Sequence, residues 1–365
     1  MLTQDAQNLS EIIDHLITTP VFSGSSLAPR PVVLDLYQAA RTKFGKPLCY
    51  DAAERIMSGS TKSRTVMITT GFVVPPWLEA ETDGPVGSAT LARSLNLALD
   101  LTPIIITEKA AVPKMKAMME AVGFRVRDTG EIGEVPRRAT VLGFTTDYKQ
   151  ATKEAEDLVS KISPSSVIAI EKAAPNRVGV FHSGVGVDVS SLSAKVDKLI
   201  EEAKKSGIPT VGIGDAGNEI GMGCIEDAVR TLLPTGSECG CSCHGGVASA
   251  VSTDSLIVAG TSNWGAPAIE ALLAYHFKSR ELLHDAKTEL RMIETAASLG
   301  YIDPASGFAD PGVDAIPASI HAAVVDVLNF IVSSRISDSY FIKKYKEYTK
   351  NKMKLSRLID EEGKL

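Results

Sequence analysis

The sequence has no excess of positive charge, and this absence excludes the first class of partner. Its 365 residues include 38 Lys and Arg against 44 Asp and Glu, which gives a net charge of −6. A protein that binds nucleic acid needs a basic face to neutralise the phosphates. We therefore expect no nucleic acid among its partners.

Long apolar runs and a basic N-terminal segment are missing as well. Runs such as residues 104–106 end early, whereas a membrane-spanning helix needs about 20 apolar residues. Residues 1–17 contain three acids and no Lys or Arg, unlike a secretory signal or a transit peptide. The five cysteines do not suit a secreted disulfide framework, because their number is odd. These absences predict a cytoplasmic protein without a membrane partner.

What the sequence does contain is a repeated order of apolar run, polar loop and helical pattern. Five short apolar runs, rich in β-branched residues, lie at residues 65–70, 103–107, 166–170, 209–214 and 254–260. Such runs are typical of strands buried on both faces, and their alternation with helices indicates a parallel sheet. The predicted fold is an α/β fold with a mostly parallel, Rossmann-like sheet flanked by helices.

Helical patterns occupy the connections and both ends of the chain. An apolar stripe over residues 190–206 predicts a helix that stops at Gly207. Residues 88–100 predict another helix, with Ser88 as its N-cap.

These patterns predict one α/β domain followed by a tail. The domain covers residues 1–335, with N-terminal helices at 1–60, a sheet core at 61–270 and a helical C-terminal part at 271–335. Residues 336–365 are highly charged and predict a helical tail.

Polar loops follow the predicted strands, at the edge of the sheet where open parallel sheets bind ligands. Four of these loops combine carboxylate or carboxamide side chains with glycine or proline. Their candidate site residues are Asp83, Glu171, Asp215, Asn218, Glu219 and Asn263. Four such loops at equivalent positions predict a single site.

The richest of these loops is residues 212–223. Its five glycines permit positive φ angles and close backbone approach. Asp215 and Glu219 suit a hard cation, a substrate ammonium or a proton, and Asn218 can donate to a carboxylate. A structural interpretation stays open, in which the loop is a tight turn and Asp215 caps a helix. Because the loop lacks a P-loop ending and is dense in acid, no nucleotide is expected.

Other polar residues also carry two interpretations. Asp83 either belongs to an Asp-Gly-Pro turn or faces Asp215 and Glu219 across the edge of the sheet. Asn263 is either a ligand contact or an N-cap. Its neighbour Trp264 is either a core residue or a wall of the site. Arg93 is a carboxylate clamp or a surface residue.

Cys239, Cys241 and Cys243, followed by His244, suggest zinc. Their i, i+2, i+4 spacing is tighter than the usual zinc-binding pairs, and no second pair follows. The spacing therefore favours packing over zinc.

Four strings point to a known family. They are Thr-Gly-Phe at residues 70–72, Glu-Thr-Asp-Gly-Pro at 81–85, Gly-Asp-Ala-Gly-Asn-Glu-Ile-Gly-Met-Gly at 214–223 and Ser-Asn-Trp-Gly at 262–265. In this order the chain resembles the D-glutamate cyclase-like C-terminal domain family over residues 30–330. The resemblance implies a lyase that converts D-glutamate to 5-oxo-D-proline with loss of water. Residues 237–244 depart from the family pattern and mark a different substrate or a metal site.

The chemistry of the implied reaction suggests roles for the candidate residues. Asp215 and Glu219 would act as acid and base, or would bind a divalent cation such as Mg²⁺ or Mn²⁺. The side chains that would hold the small-molecule substrate are Asp83, Asn218, Asn263 and Glu171. A homo-oligomer stays open. The alternative functions are a metal-dependent hydrolase or isomerase of another small amino or carboxylic acid, and a non-catalytic amino-acid-binding module.

Overall fold

A computed structural model of the protein describes residues 3–20, 32–127, 136–337 and 343–350. The helices are α1 (Gln4–Ile17), α2 (Val33–Phe44), α3 (Leu48–Ser60), α4 (Pro85–Leu99), α5 (Val112–Ala121), α6 (Tyr148–Ile162), α7 (Asp197–Lys205), α8 (Glu226–Leu232), α9 (Gly265–Phe277), α10 (Ala286–Ser298) and α11 (Ala318–Ile336). The strands are β1 (Thr65–Thr70), β2 (Val73–Val74), β3 (Glu79–Ala80), β4 (Thr102–Glu108), β5 (Arg125–Val126), β6 (Arg138–Phe144), β7 (Val167–Ile170), β8 (Thr210–Gly214), β9 (Ser255–Val258), β10 (Gly312–Val313) and β11 (Ile316–Pro317).

The centre of the molecule is a parallel sheet of seven strands in the order β5-β6-β4-β1-β7-β8-β9. The α/β fold with helical ends is thereby confirmed. All five predicted strands are present, with ends that differ by a few residues. Strands β5 and β6 were not predicted, because β5 has two residues and β6 begins at Arg138 and is interrupted by Gly143.

Helices cover both faces of this sheet. Ile68 and Ile105 belong to one buried cluster, and their neighbours Met67 and Ile104 belong to another. The two clusters are separate because successive side chains on a strand point to opposite faces. Burial on both faces explains why these strands are apolar throughout.

The direction in which strands are added reverses at β1. Strands β4 and β6 lie on one side of it, and β7, β8 and β9 lie on the other. Thr70 and Ile170, the last residues of β1 and β7, are paired in register. The loops that follow these two strands therefore leave the sheet side by side, at a topological switch point where such folds bind ligands.

Two helix boundaries were predicted wrongly. Helix α4 begins at Pro85 with Gly84 at its N-cap, so Ser88 lies inside the helix. Proline is favoured in the first turn because the lost N–H has no helical acceptor there. The helix predicted at residues 190–206 is shorter, since α7 begins at Asp197.

Helix α11 is long and apolar enough to cross a membrane by length and composition, which the sequence analysis did not recognise. It packs against α9 and α10, and Val325, Leu328 and Val332 on that side are buried. Burial of one side is also expected of a helix in a globular core. Of the predicted tail, residues 343–350 are helical, and residues 338–342 and 351–365 lie outside the described residues.

Candidate active site

A cavity of about 550 Å³ opens at the switch point. Its lining includes Glu81 from the segment after β1, Glu171 directly after β7, and Asp215 and Asn218 after β8. Asp314, in the turn between β10 and β11, lines it as well. The predicted loops therefore meet at one place, together with a turn near the C-terminal end.

Six carboxylates gather in and beneath this cavity, and we call them the carboxylate cluster: Glu81, Asp83, Glu171, Asp215, Glu219 and Asp314. Oxygen atoms of Asp83, Asp215 and Asp314 lie within 4.8 Å of one another. Oxygen atoms of Glu171, Asp215 and Glu219 do so too, so Asp215 belongs to both sets. The structure therefore places Asp83 beside Asp215, and Asp215 beside Glu219.

The environment of the cluster favours protonated carboxyl groups. Burial, and then the charges of neighbouring carboxylates, raise the pKa values of Glu81, Glu171 and Asp215 well above those of free side chains. The pKa of Asp314 is raised well above its usual value for the same reasons. Among the described residues, no Lys, Arg or His lines the cavity. Displaced pKa values in a cleft are typical of sites that transfer protons or bind cations.

Glu219 lies beneath the cavity and shapes the loop after β8. Its two carboxylate oxygens accept hydrogen bonds from the backbone N–H groups of Ala216 and Gly217, each at 2.8 Å. The loop needs its glycines, since Gly217 has a φ of +96° and a Cβ on Gly212 would lie 2.5 Å from the carbonyl oxygen of Ile220. Glu219 therefore holds the backbone that presents Asp215 to the cavity.

Asp83 and Asn263 join two of the loops to the start of α4. Asp83 accepts hydrogen bonds from the N–H groups of Ser262 and Asn263, at 2.8 and 2.7 Å. Asn263 Oδ1 accepts from the N–H groups of Gly84 and Gly87, and its Nδ2 donates to the Thr82 carbonyl oxygen. Asn263 thus caps α4, which lies far from it in sequence. Its predicted contact with substrate stays a prediction.

Glu171 and Asn218 keep polar atoms available at the cavity. Glu171 accepts a hydrogen bond from the Ser262 hydroxyl at 2.6 Å and has a positive φ of 43°. Asn218 donates from Nδ2 to the His182 carbonyl oxygen at 2.9 Å. Within the described part of the chain, Asn218 Oδ1 and Asp314 Oδ2 are buried and accept no hydrogen bond.

Trp264 and Arg93 are not among the described residues that line the cavity. Trp264 is fully buried and donates to His321, so it is a core residue, whereas Trp77 lines the cavity. Arg93 is exposed and donates to the Val122 carbonyl oxygen, which makes it a surface residue. Asp314 was not predicted, because it lies in a connection between helices.

A second cluster of side chains lies near the cavity. His182, Cys239, Cys241 and Cys243, which we call the thiol–imidazole cluster, each place a ligand atom within 4.8 Å of the others. The spacing of the cysteines favoured packing, and the imidazole that follows them in sequence is that of His244. The structure instead brings His182 to the cysteines from 59 residues away and forms a candidate metal site.

Two comparisons with known proteins indicate the same family. Residues 33–329 match the family described as D-glutamate cyclase-like, C-terminal. Human mitochondrial D-glutamate cyclase is 30% identical over 238 residues, which are 63% of this chain and 36% of the human protein. The chain thus spans little more than a third of that relative's length. The cytoplasmic location predicted for this chain stays a prediction.

The family match covers most of the chain and includes all four sequence strings that suggested the resemblance. The chain belongs to the D-glutamate cyclase-like C-terminal family.

Proposed function

We propose that this protein is a lyase that cyclises D-glutamate to 5-oxo-D-proline and releases water at the carboxylate cluster. The observation that carries the proposal is the gathering of buried carboxyl groups with raised pKa values around one small cavity. The family match supports the substrate and the reaction class.

The reaction moves protons within the substrate and consumes none overall. The α-ammonium group must lose two protons as its nitrogen forms a bond to the γ-carbon. The departing oxygen must gain two protons as its bond to that carbon breaks, so that it leaves as water. A site for this reaction therefore needs groups that exchange protons near neutral pH.

Asp215 and Glu171 suit the two ends of this transfer. A carboxylate with a raised pKa is a stronger base than a free one, which suits Asp215 to accept a proton from the ammonium group. Glu171 stays protonated more readily for the same reason, and can donate a proton to the departing oxygen. Holding the amine and the γ-carboxyl group in contact adds the advantage of proximity.

The charge of the substrate indicates that a divalent cation takes part. D-Glutamate carries two carboxylates, and the described lining offers it acids but no basic side chain. Asp83, Asp215 and Asp314 form an all-oxygen donor set of the kind that Mg²⁺ and Mn²⁺ prefer, and the buried Asp314 Oδ2 accepts no hydrogen bond from the described residues. When bound, such a cation would neutralise a substrate carboxylate and polarise its C–O bond.

The proposal is tested with purified protein that is first treated with chelator and then supplied with Mn²⁺ or Mg²⁺. D- and L-glutamate are added separately, and 5-oxoproline is measured by chiral chromatography. We expect turnover of D-glutamate, reduced by about 10²- to 10⁴-fold in Asp215→Asn, because a positioned acid or base contributes that much.

Asp227→Asn is the matched control, since Asp227 is exposed in the helix that follows the same loop. It should retain the activity of the unaltered protein. Binding of D-glutamate without turnover under all metal conditions would instead indicate an amino-acid-binding module. Full activity in Asp215→Asn would contradict the assigned role.

A further inference from the structure

The thiol–imidazole cluster has the shape of a tetrahedral metal site. The three Sγ atoms of Cys239, Cys241 and Cys243 lie 3.3–3.4 Å from one another. His182 Nε2 lies 3.3 Å from Cys241 Sγ and 3.4 Å from Cys243 Sγ. Four atoms with five nearly equal separations, and a sixth below 4.8 Å, do not lie in one plane. They surround a point, as tetrahedral ligands do.

The distances between the four ligand atoms, and the types of those atoms, indicate which metal the cluster fits. A tetrahedral ion with bonds of about 2.3 Å to sulfur and about 2.0 Å to nitrogen has ligand separations of roughly 3.5–3.8 Å. The observed separations are slightly smaller, so a small outward movement of the side chains would admit the ion. Three thiols and one imidazole are a recurrent ligand set of structural zinc sites.

We propose that the thiol–imidazole cluster binds one structural Zn²⁺ ion that fixes a wall of the cavity. Four protein ligands complete the tetrahedral coordination of zinc and leave no position for substrate or water. The ion would therefore stabilise the structure and would not take part directly in the chemistry.

The contacts around His182 show what the ion would hold in place. Ser183, Gly184 and Val185 follow His182 directly and line the cavity. The carbonyl oxygen of His182 accepts the hydrogen bond from Asn218 that orients this side chain at the site. The cysteines lie in residues 237–246, which form turns and no helix or strand. A metal bond would join this irregular segment to the wall of the cavity.

The unusual sequence spacing is explained by the same geometry. Alternate cysteines in an extended strand would point the same way but lie too far apart to share an ion. Here the backbone turns through this segment, and the His244 N–H donates to the carbonyl oxygen of Cys241. The turn brings the three thiols together, and the fourth ligand comes from a distant part of the chain.

The experiment measures metal bound to the intact chain and does not depend on its activity. The protein is purified without chelator, and zinc is counted per chain by mass spectrometry of the digested sample. We expect one zinc per chain, and less than a tenth of that in Cys241→Ser. Cys224→Ser is the matched control, because its thiol donates to the carbonyl oxygen of Thr253, outside the cluster. It should retain one zinc.

Cobalt substitution in the unaltered protein guards against a variant that fails to fold. Co²⁺ loaded after removal of zinc should give the intense visible bands of a tetrahedral ion and the near-ultraviolet bands of thiolate ligands. Removal of the metal should also expose three additional thiols to a thiol reagent and lower the melting temperature. Absence of the cobalt bands, one zinc per chain in Cys241→Ser, or a disulfide among the three cysteines would each overturn the proposal.

Discussion

At the scale of single residues, the structure separates side chains that face the cavity from side chains that hold its loops. Asp215, Glu171 and Asn218 line the cavity. Asp83 and Asn263 instead use their polar atoms on the backbone of neighbouring loops. Sequence patterns do not distinguish these two roles, because both require a polar residue just beyond a strand.

Asp314 and His182 were not predicted, and the reason is the same for both. Asp314 lies between β10 and β11, and His182 lies well inside the connection from β7 to α7. Neither directly follows a strand of the main sheet, so the rule that finds polar residues at strand ends does not identify them. They approach the site only because the chain folds back over it. The three cysteines were noticed, but their fourth partner is 59 residues from Cys241 and has no local signal.

Asp314 provides the prediction at this scale. Asp314→Asn keeps a side chain that tolerates its left-handed backbone, where φ is 54°, and removes one ionisable carboxyl group from the carboxylate cluster. We expect a folded protein whose affinity for Mn²⁺ falls by about 10-fold or more, since an anionic ligand becomes neutral. Titration calorimetry with Mn²⁺ measures the affinity.

Asp310→Asn is the control for this change. Asp310 is exposed on the same connection and accepts only a hydrogen bond from the Ser306 hydroxyl among the described side chains. It should bind Mn²⁺ as the unaltered protein does. If both variants bind Mn²⁺ equally well, Asp314 does not contribute to a cation site.

At the scale of elements, burial decided what could be predicted. Strands covered on both faces have continuous apolar runs, and all five of these were found. Strand β6 was missed because Arg138, Thr140 and Gly143 interrupt its apolar residues. The start of α4 depends on Gly84, Pro85 and a cap from Asn263, which no local pattern predicts.

His284 provides the prediction at this scale, because it joins three helices. Its ring contacts Glu270 of α9 at 2.6 Å and Glu289 of α10 at 3.0 Å, and its carbonyl oxygen accepts from Asn329 of α11. Burial alone would lower the pKa of His284, but the two carboxylates outweigh it and raise the pKa from 6.5 to about 10. His284→Gln should lose about 3–5 kcal/mol of unfolding free energy, the usual cost of breaking a buried ion pair.

The sign of the pH dependence follows from the raised pKa. The charged imidazole stabilises the folded state fully below pH 6.5, and this stabilisation is lost as the pH rises towards about 10. Urea unfolding at several pH values should therefore show His284→Gln approaching the unaltered protein as the pH increases. His276→Gln, on the exposed end of α9, is the control. A difference in stability that is independent of pH would contradict a charged His284.

At the scale of the whole molecule, the topology places the site. The strand order reverses at β1, and the cavity lies at that reversal. The sequence predicted the parallel sheet and the strand-end loops, but not the order of the strands. Order depends on which strands pair across the fold, and apolar runs of similar composition do not encode it.

The carboxylate cluster at this reversal predicts that cations and protons compete for the same carboxyl groups. The carboxylate cluster has raised pKa values, so the folded state holds protons that the unfolded chain releases above its usual values of 3.8 for Asp and 4.5 for Glu. Stability contributed by these protons is present below those values and is lost as the pH rises. In the proposed function, a divalent cation would bind the ionised carboxylates and would take the place of the protons.

Mn²⁺ should therefore raise the melting temperature more at about pH 8 than at about pH 5. At a Mn²⁺ concentration 100-fold above its dissociation constant, the stabilisation should reach about 2.7 kcal/mol. Asp215→Asn should lose most of this gain, because Asp215 belongs to both carboxylate sets. Asp227→Asn should keep the gain, since its carboxylate is exposed and pairs with Arg177 at the surface. Scanning calorimetry of the three proteins at both pH values measures these shifts. An equal shift at both pH values, or an unchanged shift in Asp215→Asn, would show that Mn²⁺ does not bind the ionised cluster.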